Sequence, residues 1–392
     1  MKYDFDKVID RHNTYSTKWD FMNTLDQRAE KDTLPMWIAD MDFEIASPIS
    51  NAIKDYLKLN LLGYSMPTDR LNEAILTYYK RRFDWDILKD SICFSPAILP
   101  AISNLIQLLT DEQEGVIIQS PVYTPFFNLI KGNNRVVANN KLILKDGSYQ
   151  MDLVDLRKLA SKGENKVILL CSPHNPVGRV WSKDDLAEVI RIARVTNTYL
   201  IVDEIHCDLI RENEKHNPIF NVVKHQDRNQ IISLISPSKS FNIPGLSTAF
   251  AIIEDEKLRN RFNTMNKMSK GLGGMQPLSI VGTIAAYEQG DEWLNQLLVY
   301  LDENFKMFKE EIEKALPKAK INIAQGTYLG WLDLSAYGSN EVVLEKLIEK
   351  GKILLQDGTL FGLGGEGYFR INLATSKTTI KESIYRITKA LK

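Results

Sequence analysis

Short apolar runs alternate with amphipathic stretches through the middle of this chain, and that alternation sets the first expectation about its fold. Val116–Gln119, Lys166–Cys171, Tyr199–Asp203, Ile231–Ile235 and Ala249–Ile253 are short and almost wholly apolar, the pattern of strands buried on both faces. Between the second and third, Ser182–Asn197 repeats apolar residues at helical spacing, with Leu186, Val189, Ile190 and Ala193 on one face. Ser182 offers an N-cap hydroxyl and Asp185 stands three residues on, as in a capping box. Strand, helix and strand in succession imply a parallel sheet with helices on its faces.

The pattern changes towards the C-terminus. Gly282 to Ala315 reads as mostly helical, followed by a strand (Thr327–Leu334), a helix (Asn340–Gly351), a second strand (Phe369–Leu373) and a closing helix. The expected fold class is α/β, with a large, mostly parallel-sheet domain and a smaller α+β domain. The expected division is 1–45 for an N-terminal segment packing on the small domain, 46–281 for the large domain and 282–392 for the small one. At 392 residues the chain exceeds what one compact core usually holds.

Charge and cysteine content narrow the partners. Lysine and arginine number 49 against 50 acidic residues, for a formal charge of −1 without a long basic stretch. Broad attraction to nucleic acid or to an anionic membrane is therefore not expected. No apolar run approaches the roughly 20 residues that cross a bilayer, and the polar stretch from Met1 to Asp20 lacks the apolar core of a secretory signal. Cys93, Cys171 and Cys207 are odd in number and widely spaced. They form neither a disulfide framework nor a zinc site and suit a reducing compartment. The expectation is a cytoplasmic protein with a small-molecule ligand.

In open α/β sheets, ligands bind beyond the carboxyl ends of the strands. The polar residues there are Ser120–Tyr123, Ser172–Gly178, Asp203–His206 and Ser236–Lys239. Lys239 follows an apolar strand, and partial burial would lower its pKa and make it a nucleophile. Ser236 and Ser238 beside it could donate hydrogen bonds to a phosphate. Asp203 ends a strand, where an unpaired carboxylate is expensive to bury; taken alone, a turn-capping role explains it equally well. Asn175 sits in a turn fixed by Pro173, Pro176 and Gly178, and alone fits a structural Asn–Pro turn as well as a ligand contact. Strand alternation places Asp203 and His206 on opposite faces, so both reach one ligand only if the strand ends near Glu204. For the same reason Asp203, Glu204, His206 and Asp208 cannot all face one ion, and no metal is expected.

Taken together, Asn-Pro-x-Gly, then Asp-Glu-x-His, then Ser-x-Ser-Lys resembles the fold-type I pyridoxal 5'-phosphate (PLP) enzymes of the aspartate aminotransferase superfamily. Within it the chain is most similar to the MalY/PatB-like cystathionine β-lyases. The resemblance rests on Pro35–Phe43 (PMWIADMDF), Gly63-Tyr64, His174–Trp181 (HNPVGRVW), Asp203–His206 (DEIH), Ser238–Leu246 (SKSFNIPGL) and Phe369–Asn372 (FRIN), and covers nearly the whole chain.

What the resemblance implies is specific. Lys239 would hold PLP as a Schiff base and later move the Cα proton. Asp203 would pair with the pyridine nitrogen, Asn175 would contact the phenolic oxygen, His206 would lie at the cofactor, and Tyr123 would stack on its ring and join in catalysis. The backbone N–H groups of Ile98 and Leu99, with the hydroxyls of Ser236 and Ser238, would meet the phosphate. Tyr64 would reach that phosphate from a second subunit, which implies a homodimer with shared sites. Arg370 would grip the substrate carboxylate, with Ala39, Tyr64 and Asn175 beside the substrate. Asp40 and Asp42 are expected to hold local structure. The implied reaction is β-elimination from L-cystathionine and related cysteine S-conjugates to a thiol, pyruvate and ammonia.

The sequence also departs from the superfamily. Ser247 stands where many of its aminotransferases carry a phosphate-binding arginine, and His206 stands where many carry tyrosine. Both departures suit the lyase branch. Pro96-Ala97 replaces a frequent glycine before the phosphate turn, and proline brings no N–H. Ser172 replaces a frequent asparagine. An amino-acid aminotransferase shares every step up to removal of the Cα proton, no single residue excludes it, and it stays open as a reading. So does a regulatory protein acting by contact with a transcription activator, since fold does not fix function.

Overall fold

A computed structural model describes residues 3–392, apart from the side chains of residues 225 and 226. Met1 and Lys2, the start of the expected N-terminal segment, lie outside the described residues. The centre is a seven-stranded sheet of β1 (Ile92–Ser95), β2 (Gly115–Ile118), β3 (Val136–Asn139), β4 (Asn165–Cys171), β5 (Tyr199–Asp203), β6 (Ile231–Ile235) and β7 (Ala249–Ile253). Their spatial order is β1-β7-β6-β5-β4-β2-β3. β7 runs antiparallel to both of its neighbours, and the other pairings are parallel.

The apolar runs form strands because both faces of the sheet are covered. Ile117, Ile168, Leu170, Leu200 and Val202 enter one core, while Val116, Ile118, Val167, Leu169 and Ile201 enter the other. Each fully buried aliphatic side chain contributes about 1.5–3 kcal/mol relative to exposure. β1 and β3 were not among the expected strands. β1 mixes polar and apolar residues, and β3 is an edge strand whose Val136 faces solvent. The helix Lys183–Thr196 starts at a capping box, with Ser182 Oγ accepting the Asp185 N–H and Asp185 accepting the Ser182 N–H.

Register fixes the site. Cys171 pairs with Asp203, and Asp203 with Leu234, so β4, β5 and β6 end level with one another. The turns that follow them lie side by side. β5 ends at Asp203 and the chain turns at once, which frees His206 from strand alternation.

The expected helical stretch from Gly282 is two helices, Pro277–Gln289 and Asp291–Ala315, separated by Gly290. A Cβ there would lie 2.4 Å from the Ala286 carbonyl and 2.4 Å from the Phe241 ring. The first helix packs against helices Ser47–Leu57 and Asp69–Phe83 of the large unit. Residues 281 and 282 both lie inside helix Pro277–Gln289. The second helix places Trp293 and Leu294 in the large core and Phe305, Phe308 and Ile312 in the small one.

The smaller sheet has the order β8-β9-β11-β10, from β8 (Lys320–Ile321), β9 (Leu329–Asp333), β10 (Gln356–Asp357) and β11 (Tyr368–Asn372). β9 starts later than expected because Thr327 adopts a φ of 70°, which no strand residue holds. The N-terminal segment runs along this unit. Leu34–Pro35 pairs in parallel with Ile353–Leu354, and the Asn372 N–H donates to the Met36 carbonyl at 2.8 Å.

Candidate active site

The level ends of β4, β5 and β6 open on a buried cavity. Its walls include Ala39, Tyr123, Asn175, Asp203, His206 and Lys239, closed by Pro96–Leu99 and by Ser236, Ser238, Ser247 and Thr248. Most of the residues singled out from sequence thus meet in one place. Arg370 joins them from β11, its Nη1 donating to Asn175 Oδ1 at 3.1 Å and its Nη2 to the Trp37 carbonyl at 2.9 Å.

Lys239 lies on a four-residue helix, Pro237–Ser240, that follows β6. Its Nζ donates to the Ala39 carbonyl. Burial is the main cause that pushes its pKa down to about 8, Arg370 adds to the fall, and Asp40 and Asp203 oppose it. Asp203 moves the other way. Burial, with Glu204 beside it, raises its carboxyl to about 7, while the Ile205 N–H and Lys239 pull it down. Burial lowers His206 to about 3, so its ring is neutral near pH 7, and its Nδ1 has no hydrogen-bond partner among the described residues. Arg370 is lowered to about 10 by burial alone among the lowering causes. It makes no ion pair among the described residues; its guanidinium lies 5.1 Å from the Phe361 ring centre, and its Nε is unpartnered.

The phosphate end is built from backbone. Helix Ile98–Leu109 begins at Ala97 without a side-chain cap, and its first two residues, Ile98 and Leu99, whose N–H groups have no acceptor within the helix, line the cavity. Such a terminus attracts anions. Of the two serines, Ser236 Oγ donates to the Thr248 carbonyl at 2.6 Å and accepts the Ser238 N–H at 3.1 Å. Ser236 Oγ also lies 2.8 Å from Ser238 Oγ, so the two hydroxyls are hydrogen-bonded to each other at the cavity wall. Tyr64 is fully exposed and does not line this chain's cavity. Asp42 is buried against Lys18 at 2.6 Å and Arg11 at 2.9 Å, and Asp40 also pairs with Arg11 at 2.7 Å. Both hold the N-terminal segment.

Three residues were missed from sequence. Tyr328 is buried and donates to the same Ala39 carbonyl as Lys239, at 2.8 Å. Phe361 carries the Arg370 guanidinium. The Asn372 side chain donates to the carbonyls of Ile38 at 2.8 Å and Asp40 at 2.6 Å, which leaves the Ala39 carbonyl turned to Lys239. The FRIN string pointed to Asn372 without a role, and no local pattern marks the other two.

PLP fits these residues. Asp203 is a buried carboxylate without an ion-pair partner among the described residues, suited to a protonated ring nitrogen. Lys239 is a partly buried amine of lowered pKa, suited to the aldehyde carbon, and the uncapped helix terminus suits a phosphate. Among the described residues no cluster of three or more His, Cys, Asp or Glu could hold a metal ion.

Comparison with known proteins reaches the same place. The family model for aminotransferase class I and II matches residues 32–387. The chain belongs to this family. It is 36% identical to cystathionine β-lyase PatB of Bacillus subtilis (strain 168), over 99% of both chains. A PLP-bound protein from Clostridium difficile 630, provisionally an aminotransferase, superposes with a TM-score of 0.97 at 37% identity over all of both chains. A PLP-bound C–S lyase from Staphylococcus hominis does so with a TM-score of 0.93 at 33% identity, over 100% of this chain and 98% of that one.

Proposed function

We propose that the chain is a PLP-dependent C–S β-lyase of the cystathionine β-lyase type, with Lys239 as the residue that holds the cofactor and moves the proton at Cα. The observation that carries this reading is the meeting of Lys239 and Asp203 in one buried cavity, the amine lowered to about 8 and the carboxyl raised to about 7 by burial. Asp203 would face the ring nitrogen, Asn175 and His206 the phenolic side, and Tyr123 the ring face. Ile98, Leu99, Ser236 and Ser238 would meet the phosphate.

When bound, PLP supplies an electron sink for the carbon that bears the amino group. Arg370 takes the substrate's α-carboxylate as a fork, its remaining N–H groups being free for that role. Asn175, bonded to Arg370, aligns that fork with the cavity. Burial holds the Lys239 amine below its ordinary pKa, which favours the neutral form that can accept a proton. In that form Lys239 Nζ accepts the Cα proton, and the Ala39 carbonyl receives the resulting ammonium. Asp203 stays ionised opposite the cation it pairs with. The sulfur leaves Cβ as a thiolate. The net reaction takes L-cystathionine and water to homocysteine, pyruvate and ammonia.

A second copy of the chain completes the site in this proposal, with Tyr64 reaching the neighbour's phosphate. The run of exposed Leu59, Leu61, Leu62, Tyr64 and Met66 supports it, because apolar surface of that extent is normally covered. Free, buried Cys93, Cys171 and Cys207 support a cytoplasmic site of action. No helix among the described residues is long and apolar enough to cross a membrane.

Purified protein loaded with PLP is expected to release thiol and pyruvate from L-cystathionine in equal amounts without any keto-acid acceptor. Transfer of the amino group only when a keto acid is supplied would overturn the lyase reading in favour of an aminotransferase.

A further inference from the structure

Behind the lysine-bearing helix lies a buried polar cluster that the proposed chemistry does not use. Its centre is Asp208, in the turn that also carries Asp203 and His206, and it is 3% exposed. Its Oδ1 accepts the Tyr78 hydroxyl at 2.8 Å and faces Arg82 Nε at 2.8 Å. Its Oδ2 accepts the hydroxyl of Ser240 at 2.6 Å. Ser240 is the residue after Lys239 and is wholly buried.

Asp208 therefore joins two separate pieces of the site. On one side is the turn after β5, which presents Asp203 and His206. On the other is the Pro237–Ser240 helix, which presents Lys239. Among the described residues no other hydrogen bond joins residues 237–241 to residues 204–210. The remaining attachments of the lysine helix lead elsewhere. Ser236 caps its start and holds Thr248, and Asn242 at its end grips Met41 and Phe43 of the N-terminal segment.

A four-residue helix cannot hold its own direction, because it closes too few internal hydrogen bonds to be stable alone. Its orientation must come from what it is tied to. The carboxylate itself is held from behind by the Arg82 guanidinium on helix Asp69–Phe83, so the point of attachment does not move. We infer that Asp208 and Ser240 act as positioning residues, a latch that sets the lysine amine against the turn bearing Asp203 and His206. The inference rests on the lyase reading and on the assignment of Lys239.

The test compares two buried hydroxyls on one carboxylate. Ser240→Ala cuts the latch, while Tyr78→Phe removes a hydroxyl from the same carboxylate and leaves the latch intact. Both variants are measured with PLP loaded, for kcat and KM on L-cystathionine, PLP dissociation constant and Tm. Ser240→Ala is expected to lower kcat roughly 10- to 100-fold, the scale of a misplaced catalytic group, with KM close to wild type and PLP retained. Ser240→Thr, which restores a hydroxyl, is expected to recover much of that kcat. Tyr78→Phe is expected to lower Tm while kcat stays near wild type. An unchanged kcat in Ser240→Ala, or an equal fall in both variants, would overturn the latch and leave the lyase reading standing. If the wild-type protein itself releases no thiol, it is the lyase reading that falls. The latch is then judged by the rate at which borohydride fixes a pyridoxyl group on Lys239, which Ser240→Ala should slow and which, if unchanged, refutes it.

Discussion

Buried charge occurs in two settings in this molecule, and they are built on opposite rules. Beneath the N-terminal segment, Asp42 is buried between Lys18, Arg11 and the Trp19 indole N–H, and these partners hold its pKa below the usual carboxylate range against the pull of burial. Around the ends of β5 and β6 and the middle of β11, Asp203 and Arg370 are just as buried and Lys239 is partly buried, yet none has an ion pair among the described residues, and burial is the largest influence on all three. A carboxylate with partners favours folding, whereas one without them waits for a ligand that supplies the missing charge. The contrast separates architecture from site more sharply than residue type does, since both regions use the same side chains.

The largest break in that contrast is expected at Lys239. Lys239→Ala should abolish thiol release and the visible absorption of bound PLP, measured by a thiol assay and by spectrophotometry. A variant that keeps both would move the site to another lysine.

Asp203→Asn should lower kcat by on the order of 10²- to 10³-fold, the usual effect of losing one preorganised electrostatic partner. The same change should stabilise the PLP-free protein. Folding raises the Asp203 carboxyl from 3.8 to about 7, so the folded form holds the proton more tightly than the unfolded one. Stability from this group is thus present below pH 4 and falls as pH rises towards 7. Removing the charge should restore up to about 4 kcal/mol at pH 8 and nothing at pH 3. Thermal melts of both PLP-free proteins at the two pH values measure this, and a lower Tm for Asp203→Asn at pH 8 would contradict it.

Arg370→Ala should reduce kcat/KM by about 10²-fold, since a charge-assisted hydrogen bond to a carboxylate is worth up to about 3 kcal/mol. The loss should fall mainly on KM, with the cofactor spectrum kept. The smallest effect on turnover is expected in the paired region. Lys18→Met leaves Asp42 short of a partner and should cost about 3 kcal/mol of folding stability by denaturant titration. Its kcat per folded molecule should stay near that of wild type. A large kcat loss there would erase the distinction between the two regions.

Much of the site was legible in the sequence because sheet geometry collects strand ends. Asp203 and Lys239 each follow an apolar run, and the parallel register brings those runs level without further information. The turn at Glu204 that frees His206 could be posed as a condition but not decided. Contacts set by chain segments far apart were beyond reach. Tyr328 meets Lys239 through the carbonyl of Ala39, and Asn372 clamps the carbonyls on either side of it. Nothing local to either residue encodes that meeting. The helix break at Gly290 was hidden for another reason: helical residues stand on both sides, and the close approach of Phe241 that leaves no room for a Cβ there is set by tertiary packing. Ser236 and Ser238 both line the cavity, as hydroxyls beside the lysine suggested, but their bonds to each other and to Thr248 depend on a chain segment 12 residues on from Ser236.

The central claim is that Lys239 holds the cofactor, and chemical mapping tests it most directly. PLP-loaded protein is reduced with borohydride, digested, and the pyridoxyl group located by mass spectrometry. The account predicts one modified peptide, carrying the group on Lys239. A pyridoxyl group found on another lysine, with Lys239 unmodified, would contradict it.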